Sequence, residues 1–403
     1  MSENQNSART PPESYLRLFL RFLRFGLLAW GGPVAQIAMI RQELVEEERW
    51  IPPERFNRVL SVYQILPGPE AHELCVYFGM TAGGRWGGFL AGLGFMLPGF
   101  VLMLVLSWFY VHYGIASPLF SALFFGFQAA VVALIVRAVH RIGGHALTDR
   151  PLWIIAVAAA ILELAGAHFL VTLAFAGTAY VLTKRRHYVI TTLIAALLLA
   201  GTVLYVSWFG DQGMMPATTA QVGTVYEKPP LLSLFGSGLR SGLLTFGGAY
   251  TVIPFLQHDA VEVGRWMSNS QFLDGLALSG ILPAPLIIFS TFVGYLGGGP
   301  LGAIILTIGI FLPAFAFTLV GHSYLEKAIA HKALHNFLDG VTAGVVGLIT
   351  ITALHLFRTA MTGLPSFAIF AASLFVLYWW KARTAVVFVV LGAGLLGMLA
   401  KIL

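Results

Sequence analysis

Glycine and proline interrupt apolar segments of this sequence at four points, and each interruption predicts that one helix ends and another begins. Proline lacks a backbone donor and clashes with the preceding helical turn. A first helical turn leaves N–H groups unpaired and carries about half a positive charge, so it attracts anions. The interruptions comprise Gly31, Gly32 and Pro33; Pro67, Gly68 and Pro69; Gly247 and Gly248; and Pro283 and Pro285. We therefore predict that these residues form an anion-binding site.

Two arginines stand at matching distances from the Gly-Gly interruptions. Arg24 and Arg240 each lie seven residues, or two helical turns, before such a pair. An arginine inside a membrane is costly and is by default functional, so both are predicted to contact the anion. A second interpretation stays open for Arg24, because Arg17, Arg21 and Arg24 form one basic stripe that could extend to lipid phosphates.

A dense ionisable cluster directly follows the second interruption. It contains Glu70, His72 and Glu73. Carboxylates beside a bound anion repel it unless they take up protons, which makes these residues candidates for proton coupling. In the alternative interpretation, the acids only complement the dipole of the helix that they begin.

The composition requires a membrane protein. Of 403 residues, 58% are apolar and 10% are charged, and the mean hydropathy is +0.81. Soluble domains are about 25% charged, so soluble enzymes, disordered chains and nucleic-acid binders are excluded. The single cysteine, Cys75, excludes an internal disulfide and a Cys-based zinc site. The class is an all-α polytopic integral membrane protein with no predicted cofactor, metal or catalytic residue.

The chain contains an internal repeat. A shift of 216 residues aligns 26–69 with 242–285 without a gap and gives 16 identities, among them glycines, prolines, an arginine and a tryptophan. A one-residue slip then aligns Gly79 with Gly294 and Pro98 with Pro313. Shared apolar composition does not place such residues in register, so we infer gene duplication.

Apolar runs and charges predict the course of the chain. Uninterrupted runs that are long enough to span a bilayer cover 86–113, 117–140, 188–209, 299–322 and 335–357, and the stretches 151–183 and 364–402 each split into two. The interrupted segments 15–49 and 54–84 each enter and return. Basic loops remain cytoplasmic, which gives the two halves opposite orientations.

The predicted organisation has four parts. Residues 1–14 form a polar cytoplasmic N-terminus, and 15–187 form the first repeat. Residues 188–230 are a connecting transmembrane helix and a periplasmic loop, and 231–403 form the second, inverted repeat. Inverted repeats with broken or re-entrant helices that meet near the midplane are typical of secondary transporters.

The sequence resembles the chromate ion transporter (CHR) family in its two-domain, long-chain form. The resemblance rests on FGLLAWGGPVAQIAMIRQELV, RW and YQILPGP in the first half, and on GLLTFGGAY, RW and IFLPAF in the second. It implies a bacterial or archaeal inner-membrane protein that exports chromate. It also adds to the predicted site Gln36, where the family usually has histidine, and Gln64 of the QxxPGP motif.

Several alternatives stay open at this stage. Sulfate and other tetrahedral oxyanions have the charge and shape of chromate, and a passive anion channel would need the same site. A membrane lipid-pyrophosphate phosphatase is a weaker alternative, because no serine or arginine accompanies His72 after the second interruption. The expected partners are an oxyanion and the lipid bilayer, without nucleic acid, and a homodimer is left open.

Overall fold

The computed structural model describes residues 13–64, 66–114, 117–209, 228–321, 332–380, 382 and 384–402, and all regular structure in these ranges is helical. The helices of the first half are α1 (Tyr15–Leu27), α2 (Gly32–Ile40, continued as a π-helix over Arg41–Glu47), α3 (Pro53–Tyr63), α4 (Glu70–Phe109, continued over Tyr110–Gly114), α5 (Pro118–Ala146), α6 (Arg150–Leu164), α7 (Phe169–Lys184) and α8 (Tyr188–Phe209).

The second half repeats this order. Its helices are α9 (Leu231–Leu244), α10 (Ile253–Gln257, preceded by a 3₁₀ turn over Ala249–Val252 and continued as a π-helix over His258–Val263), α11 (Asn269–Gly280), α12 (Ser290–Ala316, preceded by a 3₁₀ turn over Leu286–Phe289 and continued over Phe317–Gly321), α13 (Lys332–Ala360), α14 (Leu364–Trp379) and α15 (Ala385–Ile402). The predicted splits within 151–183 and 364–402 are confirmed.

Each predicted interruption separates two helices. The first lies between α1 and α2, the second between α3 and α4, the third between α9 and α10, and the fourth between α11 and α12. The repeat extends to the backbone angles, because the mates Gly31 and Gly247 have φ of +89° and +78°. Arg49 and Arg265 are also mates, and both adopt the left-handed region, with φ of 54° and 50°.

Helix α4 is two antiparallel arms joined at a glycine turn. Gly83 and Gly84 leave helical geometry, with φ of −139° and +62°, and Gly79 on the first arm packs directly against Gly87 on the second. Helix α12 turns in the same way at Gly298 and Gly299. The first arm therefore forms the second part of the segment 54–84, which was predicted to enter and return. The second arm corresponds to the predicted membrane span 86–113.

Repeat-mate helices cross antiparallel at the centre of the molecule. On the second arm of α4, Gly88 packs against Leu319 and Gly92 against Phe315 of the α12 region, so residue numbers rise along one arm as they fall along the other. Equivalent helices of the two repeats that run in opposite directions are typical of an inverted repeat. The all-α polytopic fold with two inverted halves is thus present in the structure.

The halves also exchange their terminal hairpins. Helix α5 of the first half packs along α15 of the second, where Gly126 lies against the Ala393 backbone. The equivalent contact in the other half of the repeat joins α13 to α7, where Gly340 lies against the Ala176 backbone. Neither half is therefore complete without the other.

Within the described part of the chain, four helical segments are long and apolar enough to cross a bilayer: Glu70–Gly114, Pro118–Ala146, Leu286–Gly321 and Lys332–Ala360. Large apolar side chains such as Leu197 and Phe375 remain exposed on the outer surface, as expected for lipid contact. Residues 1–12 and 210–227 lie outside the described residues. The cytoplasmic N-terminus, the periplasmic loop and the domain boundaries therefore stay predictions.

We expect Gly126→Leu to lower the thermal unfolding temperature of the purified protein by several degrees. Its side chain would collide with the Ala393 carbonyl oxygen in the contact between halves, and overpacking costs about 1–3 kcal/mol. The matched control is Gly392→Leu in α15, where a side chain meets open space. Equal unfolding temperatures for the two variants would contradict the exchanged packing.

Candidate functional site

The four interruptions converge, and three of them border one pocket of about 410 Å³. The first interruption contributes 30–35, and the fourth contributes Ser279, Gly280, Leu282, Ala284 and Leu286. The third contributes Tyr250, and Ala382 between α14 and α15 stands at the same pocket. A volume of this size holds a tetrahedral oxyanion together with several waters, each of about 30 Å³.

The start of α2 presents unpaired donors to this pocket. Gly31 and Gly32 both have positive φ, Pro33 occupies the first helical turn, and a side chain at Gly32 would meet open space. The first helical turn leaves its N–H groups without intrahelical partners. Those of Gly32, Val34 and Ala35 therefore lie at a pocket wall, where an anion can accept them.

Two arginines of α5 supply the positive charge. Arg137 and Arg141 both line the pocket and are one helical turn apart. The Arg141 guanidinium carbon lies 5.7 Å from the centroid of the Tyr250 ring, which belongs to the other half. Guanidinium groups donate several hydrogen bonds to oxyanions in a fixed fork, so the pair can bind a dianion.

The second interruption does not line the pocket and is buried against the third. The Gly68 amide donates to the Thr245 carbonyl oxygen at 2.9 Å, and Pro67, Gly68 and Pro69 are all buried. Gly68 also packs against Ala314, and the mate contact places Ala284 against Gly99. The second interruption is thus closed by its contact with the third, whereas the first and fourth are open to the pocket.

The two glutamines predicted as ligands in the first half do not line the pocket, and the two prolines predicted in the second half lie beside it in sequence. Gln36 is buried and donates to the Ala29 carbonyl oxygen at 2.9 Å. Gln64 is exposed just after α3. Pro283 and Pro285 alternate in sequence with the pocket residues Leu282, Ala284 and Leu286. Their roles as ligands stay predictions.

The three proton-coupling candidates occupy three distinct environments. Glu70 begins α4 within electrostatic reach of Arg141. The His72 ring packs edge-on between Phe311 and Phe315, with centroids at 5.0 and 4.7 Å. Glu73 is fully buried, and neither of its carboxylate oxygens has a hydrogen-bond partner among the described residues. Of the three, Glu70 has the most direct link to the pocket.

Arg24 and Arg240 lie outside the residues that line the pocket. Arg24 forms an ion pair with Glu43, and its mate Arg240 forms one with Asp259. Asp259 also accepts a hydrogen bond from Ser237 at 2.7 Å. Because the pair recurs in both repeats, it fastens the first helix of each hairpin to the returning helix. A role in anion binding for these two arginines stays a prediction.

Sequence reasoning missed Arg137, Arg141 and Tyr250 as pocket residues. In the sequence the two arginines lie at the end of the apolar run 117–140, where basic residues indicate the cytoplasmic side. Their spacing of four residues on a mostly apolar helix was the available signal, because it places both charges on one helical face. Tyr250 had no signal, since its proximity to α5 depends on the packing of the two halves.

The fold and the pocket define a multi-pass α-helical membrane protein with two inverted repeats, in which three of the four helix interruptions border one pocket. The chain belongs to the chromate transporter family, whose model matches residues 16–206 and 232–398. It is similar to a chromate transport protein of Pseudomonas aeruginosa, with 54% identity over 396 residues that cover 96% of this chain and 93% of the relative. A chromate transport protein of Cupriavidus metallidurans is 31% identical over 98% of this chain and 95% of its own length. No solved structure matches.

We expect Arg137→Gln and Arg141→Gln each to weaken the binding of radiolabelled chromate and sulfate to the purified protein by about tenfold to a hundredfold. Loss of a charged hydrogen-bond donor costs roughly 1.5–3 kcal/mol. Arg150→Gln is the control, because Arg150 is exposed at the start of α6 and does not line the pocket. Unchanged affinity in both pocket variants would place the anion elsewhere.

Proposed function

We propose that this chain exports chromate across the bacterial cytoplasmic membrane as a secondary active transporter. The observation that carries the proposal is the pocket where a helix N-terminus and two arginines can hold a tetrahedral dianion. The names of the similar proteins supply the substrate. Because the pocket lies within one chain, transport by this mechanism does not require a homodimer.

The position of the pocket allows loading from the cytoplasm, which export requires. It is bordered by Arg137 and Arg141 near the end of α5 and by Ala382, which lies between Lys381 and Arg383 in sequence. Short segments rich in arginine and lysine stay on the cytoplasmic side of a membrane. The pocket therefore faces the cytoplasm in this conformation, with the N-terminus on the same side, and chromate enters it from there.

The repeat supports a mechanism of alternating access. Ala29 and Thr245 are mates, as are Gly68 and Ala284. In this conformation Gly68 N–H bonds to Thr245, while Ala29 accepts from the side chain of Gln36 and Ala284 N–H bonds to Leu282. Opening to the periplasm would break the first bond and join Ala284 N–H to Ala29, so that the two pairs of interruptions exchange roles.

The closed pair of interruptions favours a transporter over a passive channel. A channel needs a path that is open at both ends, whereas Gly68 and Thr245 join two of the interruptions in a buried contact. Sulfate is the main alternative substrate, because the positive charge and the N–H donors of the pocket can bind either of these tetrahedral dianions.

We expect inverted membrane vesicles that contain the protein to take up labelled chromate in a saturable manner. Sulfate and molybdate, which are also tetrahedral dianions, should compete, and phosphate should compete less at a pH where it is a monoanion. Vesicles with the Arg137→Gln, Arg141→Gln double variant are the control. Uptake of sulfate without uptake of chromate would replace the proposed substrate, and an ohmic current without saturation would indicate a channel.

We expect a cysteine at Val34 to react with a membrane-impermeant maleimide in inverted vesicles and not in intact cells, in a Cys75→Ser background. Val34 lines the pocket and is 65% exposed. Added chromate should slow the reaction. Leu197→Cys, on the exposed apolar face of α8, is the control and should stay unlabelled from either side. Faster labelling of Val34→Cys in intact cells would reverse the proposed orientation.

A further inference from the structure

A buried carboxylate joins three helices at a distance from the arginines. Asp274 of α11 is 6% exposed. The Tyr110 hydroxyl donates to Asp274 Oδ2 at 2.7 Å, and Gln128 Nε2 donates to Oδ1 at 2.8 Å. Gln128 also donates to Ser270 Oγ at 2.7 Å. The carboxylate thus links α11 to the end of α4 and to α5.

No cation balances this carboxylate among the described residues. Helix α11 packs against α4, α5, α12, α13 and α15. Among the residues that the structure describes, the only titratable side chain that contacts Asp274 is Tyr110, from the α4 extension. Within the same ranges, α5 offers the neutral Gln128, and none of the other three helices places a charged group in an ion pair with Asp274. An ionised carboxylate without a counter-ion is costly between membrane-spanning helices, so this group has reason to change its protonation state.

The ligand that fits this carboxylate is a proton and not a metal cation. A sodium or divalent cation needs several oxygen acceptors around it. Here both partners of the carboxylate are donors, and Gln128 Nε2 is within reach of the Ser270 carbonyl as well, which fixes its orientation as a donor. A proton that binds Oδ2 requires only that the Tyr110 hydroxyl turn from donor to acceptor.

The acid is absent from the first repeat. The mate of Asp274 is Arg58, which is exposed. By contrast, the ion pairs Arg24–Glu43 and Arg240–Asp259 occur in both halves. Asp274 is therefore not part of the duplicated framework, and its burial has another reason.

Helix α11 connects Asp274 to the pocket. Ser279 and Gly280 line the pocket and follow Asp274 by five and six residues, which is about 8 Å at 1.5 Å per residue. A change in the hydrogen bonds of Asp274 alters how α4 and α5 hold this short helix, and its far end carries the fourth interruption.

We propose that Asp274 is the proton-binding site that couples anion movement to a pH gradient. This inference rests on the proposed function. Asp274 would take up a proton in one state of the transport cycle and release it in the other. Each change would move α11 relative to Tyr110 and Gln128, and this movement would open or close access to the pocket at the fourth interruption.

Two assays in proteoliposomes test the proposal. Counterflow, in which labelled chromate exchanges against unlabelled chromate at equal pH, needs no net proton movement, whereas accumulation driven by a pH gradient needs it. Asp274→Asn preserves the shape and both hydrogen-bonding positions of the neutral acid. We expect it to retain at least half of the counterflow and to lose the acceleration that a pH gradient gives the unmodified protein.

The controls separate coupling from folding. Asp149→Asn changes a carboxylate that binds Lys184 at 2.9 Å near the start of α6, and it should keep both activities. Tyr110→Phe removes one donor to the ionised carboxylate, so we expect the pH profile of transport to move towards alkaline pH. If Asp274→Asn also loses counterflow, the profile of Tyr110→Phe decides, because a merely structural tyrosine would not shift it.

Each outcome has one meaning. An Asp274→Asn variant that still responds to the gradient, or an unshifted profile for Tyr110→Phe, overturns the proposal. An unmodified protein that shows counterflow without any response to the gradient also overturns it. Absence of chromate counterflow in the unmodified protein would instead refute the proposed function.

Discussion

Backbone groups inside a bilayer must find partners within the protein, and this constraint governs the whole structure. An interrupted helix leaves N–H and C=O groups unpaired at membrane depth, so each interruption must be enclosed. One repeat alone does not enclose all of its interruptions, because the Gly68 amide donates its hydrogen bond to Thr245 in the other half. The exchange of terminal hairpins follows from the same need, because α15 and α7 close the outer sides of α5 and α13.

Most of the fold could be predicted from the sequence because its signals are local. Glycine and proline act on the backbone at their own positions, so the four interruptions could be predicted from the sequence. The splits near 165–168 and 381–383 could be predicted in the same local way. The repeat was readable because it preserves the register of those same residues. The turn at Gly83 and Gly84 also agrees with the predicted end of the second re-entrant segment.

The site was less predictable because it depends on contacts between distant residues. Gln128 lies within the apolar run 117–140, and its partner Asp274 lies in the other half. The pairing of Arg24 with Glu43 did have a signal in the sequence. Its mate positions carry Arg240 and Asp259, so the alignment already preserved both signs of charge.

The charged residues that line the pocket are not repeated in the second half. The Gly126 and Gly340 contacts align α5 with α13, which makes Ile351 and His355 the mates of Arg137 and Arg141. Two permanent positive charges therefore belong to the first half alone and have no counterpart in the second. Glu70 lies within electrostatic reach of Arg141 and can balance part of this charge. If the pocket holds a dianion, as we propose, the anion would take over that role and free Glu70.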